Sequence, residues 1–422
     1  MNSRIKQPLI KPIKNININE PEKLFFKNGI PAYIFKSEEN ILKIKFIFKA
    51  GNYYQEYPLQ AYFTNKLLCE GTKNYSSKKI AEIFDYYGAS LNLNIDDDNA
   101  SVSMIVAKKD LSKLLPVMAE LIINPIFPNS EFNTQKGITF QNFIISNEKV
   151  ATIAKYDFLQ TIFGNTNYYG YKTKAEDFNN LKIEALKTFH KKYYTPQNCF
   201  IIIAGNVNNH EINLIDSSFN DDLWKGKKVN TPAFIATPSE NSIIHIEKKD
   251  ALQSAIRIGK TMFNRTHKDD IGFRVLNMIL GGYFGSRLMA NVREEKGYTY
   301  GIYSSLFSLQ QTGYFSVITE VGSPVCKDAI KEIYKEIAKL QEHKVGDEEL
   351  ALVKNYILGN FLRNIDGQQN YSNLFENIII YGLDTKYLYK YLDEVQNIHS
   401  EKILSLARLY LNPEKLYEVT VG

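Results

Sequence analysis

Alternating apolar and polar residues predict three β-strands. The segment ILKIKFIFKAG sets Leu42, Ile44, Phe46 and Phe48 between lysines. Successive side chains of a strand point to opposite faces, so this pattern predicts a half-buried strand. The segments NASVSMIVA and GYFSVITEV are rich in β-branched and aromatic residues, which predicts two further strands.

Helical spacing replaces this alternation in three other segments. From Asp328 to Gln341, and again over residues 111–122, apolar side chains form one stripe with charged residues opposite. We expect Pro116 to kink the second of these helices or to move its start. The stretch AYFTNKLLCEGTKNYS, residues 61–76, also predicts a helix, and its polar positions recur at i, i+3 and i+4.

The chain contains an internal repeat. The segments YYTPQNCFIIIAG (193–205) and YLNPEKLYEVTVG (410–422) share a Tyr, a Pro three residues later and a final Gly, at an offset of 217 (410 − 193). The pair EFNTQK and ELALVK is offset by 218 (354 − 136), and the pair YYGASLNL and EKGYTYGI by 209 (297 − 88). Similar offsets in the same order predict one domain of about two hundred residues that is duplicated.

The predicted fold is α+β, with two homologous domains. Each domain has a mostly antiparallel sheet with helices packed on one face. The segment DDLWKGKKVNTPAFIATPSEN is polar and contains two prolines and a glycine, as is typical of a connection. We therefore predict an N-terminal arm (1–22), a first domain (23–222), a linker (223–240) and a second domain (241–422).

Charge and cysteine content narrow the function classes. The 51 basic and 46 acidic residues give a net charge of +5 and are interspersed, which argues against nucleic acid as the main partner. The cysteines, Cys69, Cys199 and Cys326, are odd in number and form no C-x-x-C pair. We expect buried free thiols, with neither a disulfide framework nor a cysteine zinc site.

The compartment is predicted from apolar runs. No run is long enough to cross a bilayer, and the first twenty residues contain no apolar core of the signal-peptide type. We expect a cytoplasmic protein without a membrane partner. A processed secreted chain with an added methionine would have the same sequence.

Four ordered segments carry a family resemblance. They are the strand ending at Ala50-Gly51, the segment Cys69-Glu70-Gly71-Thr72, the tract FHKKYYTPQNCFIIIAG, and GGYFGSRLMANVREEKGYTYGIYSS. From about residue 20 to Gly422 the chain resembles the pitrilysin or insulinase-like zinc metallopeptidases, in particular the branch that works as dimers of two-domain chains. The resemblance implies a metallopeptidase-like fold that forms half of a clamshell.

The resemblance also implies that the zinc site is lost. Active members carry H-x-x-E-H before the Glu-Gly-Thr segment, and the matching positions here are Tyr62, Asn65 and Lys66. The helix that supplies a third ligand in the family reads QKGITFQN, with Asn142 at the ligand position. Zinc needs about three imidazole, thiolate or carboxylate ligands, so we expect no metal or cofactor in this chain. A new site of another chemistry is the alternative, but no nucleophile and base accompany these residues.

The histidines do not offer a relocated zinc site. The six histidines are His190, His210, His245, His267, His343 and His399, and no two have ligand spacing. We expect His190, in the tract FHKKYY, to be structural.

A second implied site is retained. Active members use an arginine and a tyrosine seven residues apart in the second domain to reach the substrate carbonyl, and the matching residues here are Arg293 and Tyr300. A guanidinium and a phenol can both donate hydrogen bonds to a developing oxyanion. The alternative is an arginine paired with Glu294 or Glu295 and a core tyrosine.

The glycine-rich segment GGYFGS raises the possibility of phosphate binding. No G-K-[ST] follows it, and the glycine spacing differs from the dinucleotide fingerprint. We therefore predict a tight turn between packed helices, with Arg287 helping to hold that turn.

The leading hypothesis is a non-catalytic subunit of a heterodimeric zinc peptidase. Its partner would be a homologous chain that carries H-x-x-E-H and the zinc, and its substrates would be peptides or unfolded segments enclosed by the clamshell. Arg293 and Tyr300 would bind the substrate in trans, so the chain would not be an enzyme on its own. The rival hypothesis is a proteolytically inactive scaffold or binding protein of the same fold, like core subunits of respiratory complexes. A self-sufficient hydrolase has no supporting set of residues.

Overall fold

The computed structural model describes residues 16–219 and 224–422. Residues 1–15 of the predicted arm, and the predicted boundary at 222/223, lie outside the described residues. Residues 224–241 contain neither helix nor strand, in agreement with a connecting segment there. The three domain boundaries themselves stay predictions. Within the described residues, no helix is both long and apolar enough to cross a membrane.

Two sheets organise the described residues. The first sheet has the strand order β1-β2-β6-β3-β5-β4, and the second has the order β7-β11-β8-β10-β9. The strands are β1 (Glu22–Phe25), β2 (Pro31–Lys36), β3 (Ile41–Phe48), β4 (Ser90–Ile95), β5 (Ala100–Ala107), β6 (Cys199–Gly205), β7 (Ile243–Ile246), β8 (Gln253–Met262), β9 (Ile302–Ser308), β10 (Gly313–Gly322) and β11 (Tyr417–Val421).

The α-helices of the described residues lie between these strands in two corresponding series. They are α1 (Gln60–Lys66), α2 (Ser77–Tyr86), α3 (Leu111–Ile123), α4 (Asn129–Asn147), α5 (Val150–Phe163), α6 (Ala175–Asn180), α7 (Ile183–Tyr193), α8 (Asn209–Ser218), α9 (Asp270–Asn277), α10 (Cys326–Glu342), α11 (Asp347–Ile365), α12 (Gln368–Ile379), α13 (Thr385–Asn397) and α14 (Ser400–Tyr410). Two π-helical segments, Met278–Gly282 and Met289–Glu295, follow α9.

The two sheets repeat one topology, which confirms the predicted duplication. In the first sheet β2 pairs parallel with β6, and the remaining neighbours are antiparallel. In the second sheet β7 pairs parallel with β11, and the remaining neighbours are again antiparallel. The repeated sequence motif explains this match, because α7 and α14 both end at its tyrosine and β6 and β11 are the strands that follow. The α+β fold of two homologous domains is therefore confirmed.

Each sheet is also covered by a helix from the other half of the chain. Helix α12 packs on β2 and β6 of the first sheet, while α5 packs on β8 and β11 of the second. Ala154 of α5 is fully buried against Ala255 and Val421, since small side chains allow the helix to approach the strands closely. The two halves thus share their cores.

The packing of α12 on the first sheet corrects the prediction for β3. The strand forms as predicted, but it is not half-buried, because α12 covers its lysine face. Lys43 is only 7% exposed and donates a hydrogen bond to Ser372 Oγ at 3.1 Å. Lys45 forms an ion pair with Glu376 at 2.7 Å. Burial lowers the pKa of the Lys43 ammonium to about 8, helped by repulsion from Lys45 and opposed by attraction to Glu376.

The other local predictions are mostly confirmed. NASVSMIVA and GYFSVITEV form β5 and β10, and residues 328–341 lie within α10. The predicted shift of a helix start at Pro116 is wrong, because α3 runs through this proline from Leu111. All three cysteines are free, but only Cys199 is buried, whereas Cys69 and Cys326 are half-buried.

Candidate functional site

Helix α1 presents the polar face predicted from the sequence. It begins after Leu59, whose φ of 66° is left-handed and turns the chain into the helix. The Gln60 side chain fixes this start, because its Oε1 accepts from the backbone N–H of Glu56 at 2.8 Å and its Nε2 donates to the carbonyl of Ala185 at 2.8 Å. The first turn is therefore held by α7 as well as by its own chain.

The three polar residues of this face do not act as one group. Asn65 is buried, and its Nδ2 donates to the Tyr194 hydroxyl at 3.2 Å and to the Ser101 carbonyl at 3.4 Å. Lys66 instead donates to the Tyr62 hydroxyl at 3.4 Å, with its ammonium 5.7 Å from the Tyr62 ring centre. Asn65 thus ties α1 to the core, while Tyr62 and Lys66 pair with each other.

Tyr62 and Asn142 line one pocket of about 250 Å³ between α1, α4 and α5. Its other walls carry hydroxyl, amide and aromatic side chains rather than carboxylates. They are Leu59, Thr139, Phe143, Ser146, Asn147, Thr152, Tyr156, Thr173 and Phe178. The structure therefore brings Tyr62 and Asn142 together as predicted, but neither Asn65 nor Lys66 is among the residues that line this pocket.

The residues of this pocket do not fit a zinc ion. A phenol, amides and a nearby ammonium are not the imidazole, thiolate or carboxylate donors that zinc takes in proteins. Across residues 16–219 and 224–422, no group of three or more His, Cys, Asp or Glu side chains could hold a metal ion. No reaction step in this chain can therefore be assigned to a metal at this position.

His190 has a structural role. Its Nε2 lies 2.8 Å from the carbonyl oxygen of Ile122, and its ring stacks on Tyr194 with the centroids 5.1 Å apart. Burial lowers the pKa of the imidazole to about 4, opposed by this hydrogen bond. A neutral histidine bonded to the end of α3 links that helix to α7.

Arg293 and Tyr300 lie close together in the second half of the chain. The Arg293 Nε donates to the backbone carbonyl of Tyr300 at 3.1 Å, and its NH1 lies 3.4 Å from Glu294 Oε1. The guanidinium carbon lies 4.6 Å from the ring centre of Phe284, which is a cation–π contact. The arginine thus sets the position of the backbone from which the tyrosine side chain projects.

Tyr300 is not a core tyrosine. Its side chain is 95% exposed and stands at a pocket of about 280 Å³ that is also lined by Arg257, Tyr303 and Glu320. The alternative interpretation is therefore half right, since Arg293 does contact Glu294 but Tyr300 projects to the surface. An exposed phenol on a fixed backbone can donate to a group outside the chain.

Comparisons with known proteins agree with this architecture. A family model described as insulinase (peptidase family M16) matches residues 38–169, and a model described as peptidase M16 inactive domain matches residues 180–357. The chain belongs to peptidase family M16.

Curated M16 relatives extend over most of the chain. An uncharacterised zinc protease of Bacillus subtilis is 24% identical over 354 residues, covering 82% of this chain and 84% of the relative. A second uncharacterised zinc protease, from Mycobacterium leprae, is 23% identical over 360 residues, covering 83% and 80%.

Solved structures share the fold. A peptidase M16 inactive domain from Pseudomonas fluorescens superposes with a TM-score of 0.87 at 24% identity, covering 95% of this chain and 98% of that chain. A protease from Helicobacter pylori has a TM-score of 0.87 at 18% identity, covering 96% and 100%. Similarity at these identities establishes the M16 fold, whereas function depends on the site.

The M16 segment GGYFGS forms a turn between helical segments, as predicted. A side chain at Gly281 would collide with the Ser304 backbone nitrogen, 2.7 Å from the Cβ position, so only glycine fits. Arg287 donates two hydrogen bonds to Glu349, at 2.9 and 2.8 Å, and so joins this turn to α11. The predicted role of Arg287 is thus extended to a contact with a distant helix.

Sequence reasoning missed Phe284. This residue lies nine positions before Arg293 (293 − 284), is largely exposed, and supports the guanidinium from one side. No periodic pattern marks it, because it sits in an irregular turn whose path depends on tertiary packing. Its only sequence signal is an aromatic residue in an otherwise small and polar turn.

Proposed function

We propose that this chain is a non-catalytic subunit of a heterodimeric zinc peptidase. Its partner would be a homologous chain with H-x-x-E-H, which would supply the metal and the attacking water. This chain would contribute half of a chamber that encloses peptides or unfolded segments. Tyr300 and Arg293 would hold the substrate carbonyl in the partner's site.

The observation that carries this proposal is the contrast between the two sites of the chain. The face of α1 is occupied by Asn65, which is buried in the core, and by the Tyr62–Lys66 pair. Tyr300 is held out into solvent on a backbone that Arg293 fixes. Loss of metal donors at one site and exposure of hydrogen-bond donors at the other fit a chain that assists a reaction started elsewhere.

The chemistry expected of Tyr300 and Arg293 is electrostatic. A phenol O–H and a guanidinium N–H placed near a carbonyl stabilise the negative charge that develops on its oxygen during attack. The Phe284 ring and the Tyr300 carbonyl limit the motion of the guanidinium, which reduces the entropy lost when substrate binds. Arg293 uses its Nε for the backbone and its NH1 for a long contact to Glu294 at 3.4 Å, which leaves NH2 to face substrate.

The decisive experiment is reconstitution. Peptide hydrolysis is measured for this chain alone, for a homologue with H-x-x-E-H alone, and for their mixture, with zinc content determined in each sample. The proposal expects activity in the mixture only and zinc in the partner only. Zinc and activity in this chain alone would refute the proposal and the assignment of Tyr62, Asn65, Lys66 and Asn142.

An inactive scaffold is the second candidate function. It is favoured by the engagement of Arg293, because an arginine bonded to a carbonyl, a carboxylate and a ring already has the contacts of a structural residue. A mixture that binds tightly but hydrolyses no peptide would support this function. We rank it second because it gives no reason for the exposure of Tyr300.

A further inference from the structure

A pocket on the face of the first sheet opposite α1 is larger than the pockets at Tyr62 and at Tyr300. Its volume is about 620 Å³, within the range of small-molecule sites. Three parts of the chain form it: the first sheet, the segment after Trp224, and the end of α12 with the start of α13. Neither the α1 face nor the Arg293–Tyr300 pair contributes to it, so a ligand bound there would be independent of the proposed function.

The wall of this pocket is aromatic. Tyr33 packs edge-on against Phe200, with ring centres 6.2 Å apart, and its ring is tilted against that of Phe375 at 5.2 Å. Tyr33 and Phe375 are both buried in the core that joins the two halves of the chain. Their packing fixes the wall, which can therefore receive a flat apolar group without rearrangement.

The rim of the pocket is positively charged. Lys23, Lys49 and Lys228 all line it. Within the described residues none of the three ammonium groups forms an ion pair, although that of Lys23 lies 5.5 Å from the Tyr33 ring centre. The one carboxylate in the lining, Asp384, accepts from the backbone N–H of Lys386 at 2.9 Å and caps α13. The rim thus carries three lysines and one carboxylate, which leaves an excess of positive charge.

The backbone of Lys49 is fixed at the rim of the pocket. The Lys49 N–H and carbonyl both bond to Asn198, at 3.2 and 3.0 Å. Lys228 lies four residues after Trp224, whose indole N–H donates to the Tyr194 carbonyl at 2.8 Å in the buried core. The Lys49 side chain remains free to move while its backbone stays in place, which suits an anion of variable shape.

We propose that this pocket binds a small organic anion that has an aromatic body. The ring would pack on Tyr33 and Phe200, and the phosphate or carboxylate would lie among Lys23, Lys49 and Lys228. Each lysine would contribute a charge-assisted hydrogen bond. Because the pocket is built from both halves of the chain, the bound anion would also strengthen the contact between them.

The test uses the full chain and the fluorescent aromatic anion 8-anilinonaphthalene-1-sulfonate. Phenyl phosphate and N-acetylphenylalanine are the competitors, and inorganic phosphate and benzyl alcohol supply the charge or the ring alone. We expect phenyl phosphate or N-acetylphenylalanine to displace the dye where the other two fail at equal concentration. The better of these two competitors distinguishes a phosphorylated small molecule from a carboxylate resembling a peptide end.

Lysine-to-glutamine variants test whether the anion binds at this pocket. The triple variant Lys23→Gln, Lys49→Gln, Lys228→Gln is expected to bind phenyl phosphate at least about tenfold more weakly, since each exposed charge contact is worth a factor of a few. The matched control changes Lys225 and Lys227, which are exposed neighbours outside the pocket, to Gln. The single variants provide a second series if the triple variant misfolds. Unchanged affinity in the Lys23, Lys49 and Lys228 variants, equal loss in the control, or displacement by benzyl alcohol would each overturn the proposal.

Discussion

A helix, a glycine and a strand form the same corner in both halves of the chain. In the first half α2 leads through Gly88 into β4, and in the second the segment Met289–Glu295 leads through Gly297 into β9. The glycines have φ values of 60° and 65°, and a Cβ on either would meet nothing within 4 Å. The left-handed backbone, rather than lack of space, therefore demands glycine at both corners.

The side chains around the two corners differ completely. At the repeat offset of 209, Arg293 corresponds to Phe84 and Tyr300 corresponds to Leu91. Phe84 is buried in the first core, and Leu91 packs against that core. Arg293 instead lies at the surface, and Tyr300 is almost fully exposed.

This difference shows that the corner does not need an arginine or a tyrosine to fold. A core phenylalanine satisfies the same backbone in the first half, where burial of its ring contributes about 2 kcal/mol. Arg293, the counterpart of this phenylalanine, is partly exposed and does not contribute the burial of an aromatic ring. The pair is therefore better explained by a contact outside the chain than by the stability of this corner.

The largest expected effect comes from removing Arg293 and Tyr300 in the proposed heterodimer with a zinc-bearing homologue. Arg293→Ala and Tyr300→Phe are each expected to lower kcat by about a hundredfold, the loss typical of one oxyanion donor, or about 3 kcal/mol. Steady-state kinetics of the two reconstituted chains measure this loss of kcat. Arg408→Ala is a matched control, because Arg408 also donates its Nε to a backbone carbonyl, that of Gln341 at 2.7 Å. Tyr86→Phe controls for an exposed tyrosine, and full activity in the double variant would contradict the assignment.

The next prediction compares Asn65 and Tyr62 of the α1 face by how much each contributes to the free energy of unfolding. Asn65→Ala leaves the Tyr194 hydroxyl and the Ser101 carbonyl buried without their donor, so we expect the free energy of unfolding to fall by about 1–3 kcal/mol. Tyr62→Phe loses only the long contact to Lys66 and should cost less than about 0.5 kcal/mol. Urea denaturation of this chain measures both values. Equal losses would show that the face acts as one unit.

The sequence predicts the repeat and its elements because they depend on local patterns. Turn prolines, strand-ending glycines and amphipathic stripes recur in both halves and are confirmed in α7, α14, β6 and β11. The covering of each sheet by a helix of the other half could not be predicted, since it depends on contacts between residues far apart in the chain, such as Lys43 with Ser372 and Ala154 with Val421. At the sites, the family resemblance pointed to Tyr62 and Arg293, but only tertiary structure shows that Asn65 turns into the core.

The buried Lys43 at the contact between the two halves predicts that the free energy of unfolding depends on pH. Lys43 holds its proton to a pH near 10.5 when unfolded but has a pKa of about 8 in the fold, where Lys45 and Glu376 are its charged neighbours. Between these values the unfolded chain binds more protons, so stability rises as pH increases from about 8 to 10.5 and is independent of this group below 8. We expect a rise of about 2 kcal/mol in wild type relative to Lys43→Met. The difference between their urea unfolding free energies at pH 7 and pH 10 measures it, and parallel pH profiles would contradict it.

The smallest expected effect is a difference in stability loss between variants of two arginines, Arg287 and Arg293, which lie six residues apart. Arg287 forms two hydrogen bonds with Glu349 and joins the glycine-rich turn to α11, so Arg287→Ala should lower the free energy of unfolding by about 1 kcal/mol. Arg293 contacts only its own corner, Glu294 and Phe284, so Arg293→Ala should cost less than about 0.5 kcal/mol in the isolated chain. In the proposed heterodimer the order should reverse, because there the proposed role of Arg293 is to hold the substrate carbonyl. Thermal unfolding and kinetics of the two variants therefore form a crossed test, and an Arg293→Ala variant that loses stability but not activity would favour the scaffold function.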